Sequence, residues 1–137
     1  MNAKQWVIGT VVGAVVLFAT GWVLFEMLLG GYYEANAGSA TGVDKDPPIM
    51  WSIAVGALAY AALIIYAMRG QAASANMVSG MKVGAVVGFL LWATADFSLF
   101  GITHMSNLTL TMVDPIVELV RGGIAGAVIG ALLPKVA

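Results

Sequence analysis

The sequence predicts an all-α fold, a four-transmembrane-helix bundle forming a single integral membrane domain over 1–137. Three observations predict it. The 137 residues are 61% hydrophobic and only 9% charged, against about 25% charged in an ordinary soluble domain. A chain this short buries only about 70% of its surface on folding, so this much apolar surface needs lipid as its solvent. Four stretches, 6–29, 49–68, 81–102 and 115–133, each supply the roughly 20 apolar residues that one crossing needs. None of them alternates residue by residue, as the strands of a membrane barrel would.

The first stretch follows a basic start at Lys4, and Ala35-Asn36-Ala37 imitates a cleavage site. Its apolar run is far longer than the 7–15 residues of a signal peptide, so it reads as a span. The connection that follows, "GGYYEANAGSATGVDKDPP", is rich in Gly, Ala and Ser. Asp46-Pro47-Pro48 ends it before the second helix. Its length for a helix–helix connection points to a contact or a function there, or to a plain solvent loop. The second and third spans are joined by the short "RGQAASANMVSG", and the third and fourth by "THMSNLTLT".

Loop charges set the orientation. Lys4, Arg69, Lys82 and Lys135 all fall on one side of a four-span chain. Glu34, Asp44, Lys45 and Asp46 fall on the other. Positive residues mark the cytoplasmic side, so both termini are expected there, in a bacterial inner membrane. Tyr32, Tyr33 and Trp51 then anchor the outer interface, and Trp6 and Tyr66 the inner one.

Small residues predict where helices meet. Gly80, Gly84 and Gly88 fall four apart in the third span, and Gly122, Gly126 and Gly130 in the fourth. Gly9 and Gly13 repeat the spacing in the first. Residues four apart share a helix face. Small ones let backbones approach where lipid gives no hydrophobic drive. The partner face belongs either to this chain or to another. A weak repeat, "VGAVV" at 12–16 and at 83–87, sets Glu26 and Asp96 at similar depth in two helix hairpins.

Charges inside the spans are the candidate site. Asp114, Glu118 and Arg121 are spaced to share one face of the last helix. Arg121 is charged at any relevant pH. It costs at least about 2.5–3.5 kcal/mol in hydrocarbon, so it needs a carboxylate. Glu118 and Asp96 are the natural partners, either as a salt bridge locking the third and fourth helices or as a pocket open to the outside. Asp114-Pro115 fits a helix start, with Asp as the cap and Pro in the first turn. Asp114 is equally placed to be a site ligand. Glu26 reaches either the headgroups or the same cluster. His104 reads as a loop residue, or as an accessory to the acids in a divalent-metal site. No ligand spacing supports a metal, and no metal or cofactor is expected.

The net charge of −1 gives no reason to expect nucleic acid. The chain has no Cys, so disulfides and thiolate chemistry are excluded. No phosphate loop, nucleophile elbow or zinc-protease motif occurs, and no enzymatic activity is expected.

Ala93, Thr94 and Asp96, followed by Thr111 and Asp114, resemble a family of small four-helix bacterial membrane proteins of unknown function. In that family the third helix ends in an Ala-Thr-Tyr-Asp-Leu-Thr-Asn-Leu run, and a Thr-x-x-Asp opens the last helix. The separation of the two acids and the four-span layout match over nearly the whole chain. Leu99, Ser106-Asn107 and Val117-Glu118 depart from the family's Asn, Trp-Pro and Trp-Gly. The resemblance implies a fold and two positions, Asp96 and Asp114, and no reaction.

Two functions fit. The first is a small membrane subunit or scaffold that packs into a homo-oligomer or larger complex through its glycine faces. The second is a small transporter or ligand-binding protein with an outer-leaflet polar site around Asp96, Glu118 and Arg121.

Overall fold

The computed structural model describes all residues, 1–137. Its regular elements are all helices, and four of them are long and apolar enough to cross a membrane, as in a multi-pass membrane protein. In order these are α1 (Ala3–Gly21), extended by a π-helical turn over Trp22–Leu28; a short α2 (Gly30–Ala35); α3 (Met50–Met68); α4 (Met77–Ile102); and α5 (Leu108–Leu132). Short 3₁₀ turns follow α3 and α5. Both termini lie at one end, where Gln5 Nε2 donates to the Leu133 carbonyl at 2.9 Å.

Local chemistry sets the helix starts. Asn2 accepts from Gln5 N while Gln5 Oε1 accepts from Asn2 N, a reciprocal cap on α1. Asn76 and Ser79 repeat it on α4. Asn107 caps α5 by accepting from Leu110 N at 2.8 Å.

That last cap overturns the reading of Asp114-Pro115 as a helix start. The helix begins at Leu108, and both residues lie inside it and are buried. Asn107 already satisfies a free N–H of the first turn, so the helix needs no second cap. Pro115 is tolerated because only the hydrogen bond it would have donated to Thr111 O is missing.

The tightest packing joins α4 to α5. A Cβ at Gly80, Gly84 or Gly88 would strike the backbone carbonyls of Gly126, Gly122 and Glu118 respectively. A Cβ at Gly130 would meet Asn76 O. The two glycine rows therefore face each other within one chain. Gly9 and Gly13 meet side chains instead: Ile65 and Leu133, and Ile129 and Ala61.

The core fills the end nearest the termini, where Leu17, Ile64, Ile65, Met68, Ile129 and Leu133 are fully buried. Towards the far end, Gly56 of α3 has open space where its Cβ would stand. At that far end the chain after α2 clasps the α4–α5 connection. Gly38 N donates to Met105 O, Ala40 N to His104 O and Asn107 N to Asn36 O. Asn107 Nδ2 donates to Asn36 Oδ1 at 3.1 Å.

Candidate intramembrane polar site

Asp114 and Glu118 stand on the buried face of α5, with Glu118 only 1% exposed. Arg121 follows on the same side, its side chain 11% exposed. Asp96 of α4 faces them across the gap beyond Gly88 and neighbours Asp114 and Glu118. Asp96 Oδ2 is buried and has no hydrogen-bond partner.

Arg121 sits where one residue type links two helices. Its Nη1 donates to Glu118 Oε1 at 3.0 Å and to Oε2 at 3.3 Å. Its Nε and Nη2 donate to the Leu17 carbonyl at 3.1 and 2.7 Å. A carbonyl has two lone pairs, so Leu17 O can take a donor from outside its own helix. Gly21 leaves room for the guanidinium, since a Cβ there would lie 2.9 Å from Nη2. Phe25 and Tyr60 present their rings at 5.5 and 5.7 Å, within cation–π range.

The expected bridge between the third and fourth spans is therefore not the one formed. Arg121 pairs with Glu118 one turn back on its own helix, and its other donors cross to α1 rather than to α4. The side chain reaches into the space left by Gly21, where the Leu17 carbonyl accepts from it.

Asp114 is served from the loop side. Tyr33 of α2 donates its hydroxyl to Asp114 Oδ1. Burial first, then that hydrogen bond and the nearby acids, hold the phenol well above its ordinary range, so it stays a donor. Tyr60 of α3 closes the other flank, with its hydroxyl 3.5 Å from Glu118 O. The sequence marked Tyr33 only as an interfacial anchor and did not mark Tyr60. Nothing local signals that α2 folds back over the last helix, or that Tyr60 stands opposite Gly88 and Gly122.

Two expected members stand apart. Glu26, on the π-helical turn, is exposed and forms no ion pair or hydrogen bond with the cluster. His104 lies in the α4–α5 connection, where its backbone carbonyl takes part in the clasp. No three His, Asp or Glu side chains stand where they could hold a metal ion. Glu26 stands on the π-helical turn Trp22–Leu28 that extends α1, and it lines the cleft beside Arg121.

Beside the cluster lies a cleft of about 530 Å³ between α1, α3 and α4. Phe18, Trp22 and Phe25 line one wall, Gly56 and Tyr60 another, and Arg121 the floor. Trp22, Glu26, Met50 and Ile53 are shared with a second, more polar opening that reaches Asp44 and Lys45 of the long connection.

Fold and site together define a multi-pass helical membrane protein with an acid cluster inside its bundle. Comparison with family models, with curated proteins and with solved structures finds no match.

Proposed function

We propose that the chain is a small transporter or ligand-binding protein of a bacterial inner membrane. Both termini are cytoplasmic, and Asp96 and Asp114 bind a proton or small cation from the outer side. One observation carries the reading. Arg121 is occupied by Glu118 and Leu17 O, while Asp96 neighbours Asp114 and keeps a buried oxygen without a partner. The cluster holds three carboxylates, and only Glu118 is paired with the one guanidinium. Two carboxylates at close range hold a proton or a cation between them, because both bare charges repel. Intramembrane acids of this kind commonly belong to ion or proton pathways.

Infrared difference spectra of the protein in nanodiscs, recorded across a pH titration with and without added sodium, test this. The expected result is a carboxyl band that responds to pH or sodium and vanishes in Asp96→Asn. If the band is unchanged and the variant only lowers stability, the acids are structural.

A second reading, a subunit that self-associates, keeps one support. The glycine rows of α4 and α5 are occupied within the chain. An apolar groove on the α1–α3 surface, lined by Val11, Ala14, Val15, Ala54 and Leu58, is open, and small residues there suit close helix contact. Native mass spectrometry from nanodiscs, comparing the protein with Ala54→Phe, tests it: oligomers that the variant abolishes support it, and monomer alone in both ends it.

A further inference from the structure

The cleft above Arg121 is a separate cavity that Asp96, Asp114 and Glu118 do not line. At about 530 Å³ it has room for a small organic molecule. Five aromatic residues line it: Phe18, Trp22, Phe25, Tyr60 and Trp92. It holds one cation and one free anion. Arg121, the cation, is neutralised by Glu118 at 3.0 Å. Glu26, the anion, lies on the rim with no ion pair, although Lys45 lines the adjoining opening. Asp96 and Asp114 lie just beyond the floor, with no basic side chain of their own.

The charge balance in and around the cleft is therefore negative, and its walls are aromatic. Aromatic faces attract organic cations through the ring quadrupole, most strongly where water is excluded. A carboxylate at the rim supplies the counter-charge. An anionic ligand gains little here, because Glu26 repels it and Arg121 already has acceptors. The opening past Trp22, Glu26, Met50 and Ile53 leads to the far end of the bundle, so a ligand has a path that avoids the packed core.

We propose that this cleft binds a lipophilic organic cation, an amine or quaternary ammonium with an apolar body, held by Glu26 and the aromatic walls. The inference goes beyond the acid pair and is read by a different measurement, so either can fail alone. The experiment is equilibrium binding of tetraphenylphosphonium to the full chain in nanodiscs of zwitterionic lipid, with tetraphenylmethane as the uncharged control.

The expected result is saturable binding of the cation only. Glu26→Gln should weaken it tenfold or more. Gly56→Leu should abolish it, because the new side chain enters open space in the cleft rather than the core. Both variants change exposed or open positions, and circular dichroism checks that the fold is kept. Non-saturable binding, equal binding of the uncharged control, or unchanged affinity in Glu26→Gln would each overturn the proposal.

Discussion

Arg121 shows how one buried charge is made tolerable. Its three nitrogens donate to a carboxylate on its own helix and to a carbonyl on another. Removing it by Arg121→Met leaves Glu118, 1% exposed, without its counter-charge. That should cost about 3–5 kcal/mol, the usual penalty for breaking a buried pair from one side. Adding Glu118→Gln should recover much of the loss, as thermal unfolding in detergent would reveal; no recovery would mean the Leu17 contact carries the stability. Arg121→Lys should not rescue the single variant, because an ammonium cannot reach Glu118 and Leu17 O with the same planar fork. At the loop side, Tyr33→Phe removes a hydroxyl donor to Asp114. A hydrogen bond to a charged group contributes about 1.5–3 kcal/mol. The variant should also speed hydrogen exchange in α2, and unchanged exchange would show that the clasp at Asn36 and Asn107 holds α2 alone.

Among the elements, the α4–α5 hairpin is the rigid unit. Gly80, Gly84, Gly126 and Gly130 face backbone rather than side chains, so nothing flexible can yield there. Gly84→Leu should destabilise at or above the upper end of the about 1–3 kcal/mol range for overpacking, measured by unfolding in mild detergent. Gly56→Ala is the matched contrast. Its Cβ would enter open space, so it should be neutral or gain up to about 1 kcal/mol through helix propensity. Equal effects at the two sites would contradict the hairpin packing. Asn107→Ala should cost about 1 kcal/mol through the lost cap of α5, together with the side-chain bond to Asn36. The spacing of the glycines was visible in the sequence. Which chain they would meet was not, because four-residue spacing describes a face and not its partner.

For the whole molecule, the packed half and the open half have different work. The end nearest the termini carries the apolar core, and the far end carries the acids, the cleft and the clasp. The proposed orientation puts that far end outside. The chain has no Cys, so single cysteines report the topology directly. A cysteine at Ser39 should react with an impermeant maleimide in intact cells, and one at Ser74 only after lysis. The reverse pattern would invert the orientation and turn the acid site towards the cytoplasm.

The sequence by itself determined the class of fold, the four spans to within several residues and the list of charges that had to be buried. Lipid as solvent leaves few choices: long apolar runs must be helices, and Arg121 must find an acceptor. It also placed Asp114, Glu118 and Arg121 on one face, since helical spacing is local. Only the tertiary structure decided which acid Arg121 takes, that Glu26 lies on the cleft and not in the cluster, and that Tyr33 reaches Asp114. Each depends on contacts between residues distant in the chain, or on a local irregularity, the π-helical turn after Gly21. Backbone periodicity cannot report these, because it says which residues share a helix face and not which distant residues that face meets.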